Sequence, residues 1–507
     1  MFSKINSIGL LGMNSFGVTV EIEASNGLPK FDIVGQADTV VRESRDRIKS
    51  AFRSSNIPFP EHAITVNLAP ADIRKTQSSF DMAISVAVMV VSGFFDESQT
   101  RNKAFIGEVS LGGEIREVNG VLPMVLYAQK NGIKEVFVPK KNEYEASVVD
   151  GITVYGVKTL NELLSHFLSK PITSVQKYVP KDNDYFDTLD FADVKGQAGA
   201  KKALEIAACG GHNVLMIGSP GSGKSMLAKR LPTILPKMTF EESIEATNLY
   251  SVAGILNPDT PLITKRPFRS PHHTISQAGL TGGGAIPRPG EISLSHNGLL
   301  FLDELAEFDR RTLEGLRQPL EDGMVTISRA WGNVTYPCSV MLVAAMNPCP
   351  CGYYGHPTRK CICSSSQVSR YLSKISGPLI DRFDIHLEVA PVEYDSISSG
   401  IKAESSAQIR ERVFEAREIQ NRRFKGTKIN CNANITSDIL HEVCPMTDDA
   451  NAMLKNVFER LGLSARAYDK IVKVARTIAD MDKSDMIEKL HIAQAVQYRS
   501  LDRKYWQ

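Results

Sequence analysis

A lysine and a serine close the run Gly218-Ser219-Pro220-Gly221-Ser222-Gly223-Lys224-Ser225. The spacing fits G-x-x-x-x-G-K-[ST], in which backbone N–H groups cradle phosphates. Lys224 then reaches the β- and γ-phosphates, and the Ser225 hydroxyl ligates Mg²⁺. An apolar strand, "NVLMIG", precedes the run and a helix follows it, which is the context the motif requires. A second apolar run, "GLLFLDEL", ends in two acids. Asp303 is placed to hold Mg²⁺ through water, and Glu304 to polarise an attacking water as general base. A third strand runs through "VAAMNP" and ends on Asn347, whose amide can orient that water or sense the γ-phosphate. A plain strand-end turn at Asn-Pro reads the same residues equally well.

Other groupings carry different chemistry. Cys349, Cys351, Cys361 and Cys363 form C-x-C-x9-C-x-C. Four thiolates suit tetrahedral Zn²⁺, although C-x-C is tighter than the usual C-x2-C. Two insertions interrupt the nucleotide core. "KRPFRSPHHTISQAGLTGGGAIPRPGEISLSH" carries Lys265, Arg266, Arg269 and Arg288 with three consecutive glycines, and reads as a flexible basic loop suited to a phosphate backbone. "MVTISRAWGNVTYPC" reads as a hairpin with Arg329 and Trp331 near its turn, the pairing of cation and aromatic that binds single strands. The bland alternative is a Trp331 packed on the core and solvated arginines. Between Arg410 and Lys428, seven Lys/Arg face three Glu, which reads first as a charge-laced solvated helix and second as a DNA-facing surface.

The elements that must position these groups follow from composition and pattern. With 507 residues, 42% hydrophobic and 23% charged, the chain is an ordinary globular sequence too long for one core. A net charge of +2 argues neither for nor against nucleic acid, so any basic surface is local. No apolar run reaches the ~18 residues of a membrane span, and no signal-peptide pattern opens the chain. We therefore expect a cytoplasmic protein with reduced thiols. Residues 1–168 alternate short strands and helices, with "SSFDMAISVAVMVVSG" a buried helix. Residues 169–188 read as a linker, 189–395 as the nucleotide core and 396–507 as helical.

The order "GSPGSGKS", "GLLFLDELAEF", "VAAMNPCPCG", "ISGPLIDRFDIH" and "LSARAYDKIVKVARTIAD" resembles the magnesium-chelatase-like branch of AAA+ ATPases. "KGQAGAKKALEIAACGGHN", "PFRSPHHTIS" and "RPGEISLSHNG" are similar to its YifB/ComM group. The resemblance implies an α/β multidomain chain with an AAA+ P-loop core and a C-terminal helical lid. It implies ATP and Mg²⁺, with Lys224 and Ser225 in Walker A, Asp303 and Glu304 in Walker B and Asn347 as sensor 1. Arg382 becomes the arginine finger and Arg466 sensor 2. ComM members of the group are implied to be homo-hexameric helicases that drive branch migration on single-stranded or branched DNA, with recombination proteins as partners in natural transformation. Residues 1–168 resemble the proteolytic domain of Lon, an α+β domain, with Ser79 at its serine. The segment Val118–Val125, which parallels the part bearing Lon's lysine, holds no lysine. A serine without its base is a poor nucleophile, so the domain is expected to be an inactive scaffold.

Other motors remain open at this point: metal insertion into a porphyrin, or protein remodelling through the same pore. No D-x-S-x-S metal-site motif supports the first. A non-enzymatic, nucleotide-gated platform is disfavoured by Glu304, which it would not need.

Overall fold

The computed structural model describes residues 1–35, 38–73, 75, 77–180, 189–329, 332–391, 403–499 and 501–506. Part of the expected linker, 181–188, lies outside them, and so does Trp331.

The first unit is built on a seven-stranded mixed sheet. Its strands are β1 (Phe2–Leu11), β2 (Asn14–Ser25), β3 (Lys30–Val34), β4 (Ala63–Ala69), β5 (Lys103–Phe105), β6 (Glu135–Pro139) and β7 (Thr153–Val157), in spatial order β3-β4-β2-β1-β5-β6-β7. β1 and β2 form a long antiparallel hairpin turning at Gly12 (φ 61°). Burial alternates along β2 and the first half of β1, the period of two of a strand. Helix α1 (Asp81–Val91) is buried on nearly every side, as its apolar density requires. Helix α2 (Val121–Lys130) covers the other face with Val121, Leu122, Met124 and Val125.

The second unit is a five-stranded, wholly parallel sheet: β8 (Val214–Ile217), β9 (Phe268–Arg269), β12 (Leu299–Leu302), β15 (Met341–Met346) and β16 (Ile385–Glu388). Between β9 and β12 lie β10 (Gly282–Gly283) and β11 (Arg288–Pro289). A separate hairpin pairs β13 (Met324–Arg329) with β14 (Gly332–Pro337). The sheet order is β9-β12-β15-β8-β16. β8, β12 and β15 are buried at every position, as parallel strands covered on both faces must be. Val214, Met216, Leu299 and Phe301 enter one core; Leu215, Ile217, Leu300 and Leu302 enter the other.

Helices of the core include α3 (Ala198–Gly210), α4 (Lys224–Arg230), α5 (Phe240–Ala253), α6 (Gln277–Thr281) and α7 (Glu291–Leu294). The chain ends in α8 (Ser406–Arg423), α9 (Asp448–Leu461), α10 (Ala465–Met481), α11 (Lys489–Gln497) and α12 (Leu501–Trp506). α8 is charge-laced as expected, and several of its guanidinium groups are engaged within the chain. Arg412 pairs with Glu205 (2.5 Å), Arg417 donates to the Ala208 carbonyl (3.0 Å) and Arg423 pairs with Asp480 (2.9 Å). These guanidinium groups stitch the helical end to α3 and α10. Lys470 of α10 adds an ion pair to Asp384 at 3.0 Å. Burial alone would raise the Asp384 carboxyl, but the Lys470 ammonium and His212 hold it well below the usual carboxylate range.

The two units are joined by a buried node. Gly120 N–H donates to the Ser251 carbonyl of α5 (3.1 Å), and the Ser251 hydroxyl donates to the buried carboxylate of Glu145. Glu145 also accepts from the Leu122 amide at 2.9 Å. Burial pushes its carboxyl up, opposed by these hydrogen bonds. Leu262, with Ile244 and Val252, packs into the core under α2.

Candidate nucleotide site and its surroundings

β8 ends where the octapeptide begins, and α4 starts at Lys224, so the loop's amides and the helix N-terminus share one point. Gly223 (φ 92°) takes the left-handed turn into α4, a conformation a Cβ would strain. Gly218 lies so close to the Val389 carbonyl that a Cβ there would collide with it.

The structure brings Lys224, Ser225, Asp303 and Asn347 together. Lys224 Nζ donates to the Gly218 carbonyl (2.8 Å), the Ser219 carbonyl (2.9 Å) and Asn347 Oδ1 (3.2 Å). Burial lowers its pKa, and Asp303 opposes that fall. Ser225 Oγ donates to Asp303 Oδ2 at 2.6 Å. A hydroxyl and a carboxylate this close form a hard oxygen pair suited to Mg²⁺. Asp303 and Asn347 come from neighbouring strands, β12 and β15, which explains how residues 44 positions apart meet.

Glu304 follows with φ 54°, a left-handed conformation rare outside glycine. Such strain is held at sites where the surroundings fix it. Its side chain is more than half exposed and meets His273 Nδ1 at 3.2 Å.

Arg382 and Arg466 have no hydrogen bond to this cluster. Arg382 pairs with Glu321, and its Nε is buried without a partner among the described residues. Arg466 is exposed on the first turn of α10. It stands one turn before Lys470, whose ammonium bonds the Phe383 carbonyl beside Arg382. Residues four apart share a helix face, so Arg466 is carried on the side of α10 that meets the core.

A cleft of about 530 Å³ next to the phosphate loop was not anticipated; Gly196, Gln197, Ala198, Glu388, Ala390 and Tyr498 line it. Gln197 donates from Nε2 to the carbonyls of Ser222 (3.1 Å) and Ala390 (2.6 Å), tying the cleft to the loop. No spacing rule picks out these residues, because the cleft forms from three distant segments.

The first basic insertion differs from the flexible loop expected. Residues 265–296 fold into β9, α6, the β10/β11 ribbon and α7. Arg266 is engaged by Glu242 (2.9 Å) and the carbonyls of Pro236 and Asn297 (both 2.7 Å). Arg269 grips Glu291 through two bonds of 2.6 and 2.7 Å. Both guanidinium groups are internal fasteners in this structure, and contacting DNA would break paired, half-buried charges. Arg288 is exposed on β11. Arg329, on β13, is also exposed and reaches the Gly284 carbonyl at 2.9 Å, which links the hairpin to the ribbon. The hairpin itself forms as read. Lys265 is likewise exposed but is engaged within the protein.

All four expected cysteine sulfurs converge, with every pair within 4.8 Å. Three separations are 3.4, 3.7 and 3.6 Å. Tetrahedral Zn–S bonds of about 2.3 Å require sulfurs ~3.8 Å apart. Gly352, between Cys351 and Cys361, lies against Pro220 so tightly that a Cβ there would strike that ring. The cysteine loop thus packs directly on the phosphate loop.

In the first unit, Ser79 is buried and its Oγ has no hydrogen-bond partner among the described residues.

Comparison with known proteins adds to this geometry. Residues 190–397 match the family model for magnesium chelatase, subunit ChlI, and residues 403–499 match its C-terminal model. Residues 20–142 match a further model, subunit ChlI of Mg-chelatase. The chain is 42% identical over 499 residues to competence protein ComM of Haemophilus influenzae, covering 97% of this chain and 96% of that one. It is 40% identical to YifB of Escherichia coli over 99% of this chain and 97% of its relative. A Lon protease of Acinetobacter baumannii is 28% identical over 190 residues, 35% of this chain and 23% of that protein.

Proposed function

The chain belongs to the YifB/ComM family of magnesium-chelatase-like AAA+ ATPases, and from that premise we propose that it is a hexameric, ATP-driven motor that moves DNA branch points during recombination of incoming DNA. The carrying observation is the convergence of Lys224, Ser225, Asp303 and Asn347 beneath an exposed Glu304. In this reading the nucleobase enters the cleft beside Gln197, and the loop amides and Lys224 hold the phosphates. Ser225 and Asp303 would hold Mg²⁺, which when bound offsets charge on the β- and γ-phosphates. Asn347 orients a water, and Glu304 takes its proton as the water attacks the γ-phosphorus and the bond to the β–γ bridging oxygen breaks, leaving ADP and phosphate. Arg382 serves a neighbouring subunit's site, which requires head-to-tail contacts that close into a ring. Arg466 senses the nucleotide from the lid. Arg288, Arg329, Lys265 and Trp331 contact DNA in this reading. No helix among the described residues is long and apolar enough to cross a membrane; we place the motor in the cytoplasm.

A labelled branched junction incubated with protein and ATP tests this. Migrated product is expected only with ATP, and phosphate-dominated binding should weaken steeply with salt. Arg288→Ala with Arg329→Ala should lower migration while sparing DNA-free ATP hydrolysis. If wild-type protein hydrolyses ATP yet never resolves a junction at low salt, the DNA reading fails and a protein-remodelling motor replaces it.

Cys349, Cys351, Cys361 and Cys363 would hold one Zn²⁺, whose contribution is structural: it closes the loop that packs on Pro220. Metal analysis of protein purified without chelator should return about one zinc per chain, and Cys361→Ser with Cys363→Ser should lose it. Native protein lacking stoichiometric zinc would refute the assignment.

A further inference from the structure

From Gly323 to Ile380 the chain holds no aspartate or glutamate, although acids make up 57 of its 507 residues. At that frequency about six would fall in the stretch. Five cations remain in it: Arg329, Arg359, Lys360, Arg370 and Lys374. Part of the stretch is the buried strand β15, where an acid has no place. Its exposed parts are the β13/β14 hairpin, the cysteine loop and the helix Ser365–Leu372 that follows the loop. A solvated surface ordinarily mixes both signs of charge. Leaving out one sign over separate exposed pieces suits a polyanion that meets more than one of them.

The cysteine loop is a built tip. Its four sulfurs draw the two ends together, and the residues between Cys351 and Cys361 are mostly exposed. Internal bonds set its shape. The His356 amide donates to the Tyr353 carbonyl (3.1 Å), and His356 Nδ1 accepts from the amides of Thr358 (3.2 Å) and Arg359 (3.0 Å). Arg359 lies over the Tyr353 ring, 5.2 Å from its centroid, and donates to the Tyr353 hydroxyl at 2.8 Å. That partner is neutral, so the guanidinium keeps its charge. Lys360 makes no hydrogen bond or ion pair among the described residues. Glu388 belongs to another element and is matched by Lys504, which reaches Gly355. Ile362, between the last two cysteines, is 87% exposed, and Tyr354 is exposed at 42%. A lone exposed isoleucine means little. On a fixed tip, beside two cations without acidic partners and a tyrosine, it completes the combination that holds a single strand: charge for phosphates and flat or apolar groups for unstacked bases. A duplex hides those base faces, so a strand without its complement fits better.

We propose that the tip of the cysteine loop is a contact for single-stranded DNA, with Arg359 and Lys360 on phosphates and Tyr354 and Ile362 against bases. The inference deepens the DNA reading above and rests on it, adding a contact to those of the ribbon and hairpin. Gly352 of the same loop packs on Pro220, so a strand held at the tip is one loop away from the ATP phosphates.

The test measures binding of a fluorescent single-stranded oligonucleotide to the full chain across a salt series, with ATP affinity and DNA-free ATP hydrolysis followed alongside. Arg359→Ala with Lys360→Ala should weaken binding by roughly tenfold at moderate salt. The slope of log affinity against log salt should flatten by about 1.4, because each phosphate contact on a single strand contributes about 0.7. Ile362→Ser should weaken binding by roughly fivefold through lost apolar contact and leave the slope unchanged. DNA-free hydrolysis should stay within about twofold of wild type in both variants, which collapse of a loop packed on the phosphate loop would not allow. A wild type that binds the oligonucleotide, with the same affinity and slope in both variants, would overturn the proposal and leave the motor standing. Weaker ATP binding in the double variant with unchanged oligonucleotide binding would also overturn it, by giving these cations to the nucleotide. A wild type that binds no oligonucleotide at low salt would remove both readings. Weaker oligonucleotide binding by the variants of a chain that never migrates a junction would keep the contact and discard the motor.

Discussion

Glu304→Gln is expected to bind ATP as well as the wild type and to hydrolyse it roughly 10² to 10⁴ times more slowly, the worth of a positioned general base. Glutamine keeps the shape and the hydrogen-bonding reach but cannot take a proton. Glu304 has no hydrogen bond to Lys224, Ser225 or Asp303 beyond its own amide donating to Asp303 Oδ1. The nucleotide contacts should therefore survive the change, and kcat should fall with little change in nucleotide affinity. Steady-state hydrolysis and binding of a fluorescent ATP analogue separate the two effects. Hydrolysis by Glu304→Gln at the wild-type rate would remove Glu304 from the chemistry.

Lys224→Ala should act one step earlier. Its ammonium is buried and held by two loop carbonyls and Asn347. A charge-assisted contact contributes about 1.5–3 kcal/mol, and Lys224 is placed to serve two phosphates. Nucleotide affinity should drop by roughly 10²-fold or more, with hydrolysis and junction migration lost. Lys224→Arg should not rescue it, because the guanidinium fork does not fit a slot built around a single nitrogen. Three internal hydrogen bonds go with the side chain, so the melting temperature must be followed alongside. A variant that melts normally and still binds ATP tightly would contradict the assignment.

Why these sites were legible in sequence is a matter of locality. The octapeptide, the acid pair after Leu302 and Asn347 after Met346 each sit at the end of a short apolar run, and parallel strands deliver their ends to one edge. The cysteines were legible for the same reason, since Cys349, Cys351, Cys361 and Cys363 all lie on one loop. Partners set by tertiary contact were not. Glu242 and Glu291 neutralise Arg266 and Arg269 from other elements, and Glu205 meets Arg412 across 207 positions. Charge counts cannot distinguish a free arginine from a fastened one. The glycine run 282–284 read as slack, yet Gly282 packs against the Arg288 carbonyl and Gly290 amide, which makes it a tight ribbon. The His273–Glu304 contact has no signature in either residue's neighbourhood.

The node at Gly120 constrains what chemistry its segment can hold. Val118–Val125, where a Lon-type peptidase would need its lysine, now supplies the backbone donors that meet Ser251 and Glu145. Gly120 occupies a left-handed conformation (φ 78°), and residues 120 to 125 are all buried. An ammonium introduced there would be desolvated against the joint, at several kcal/mol for an unpaired charge. Peptide hydrolysis and mechanical attachment compete for the same short segment. A chain that spends this segment on the joint between its two units leaves no solvated place there for an ammonium.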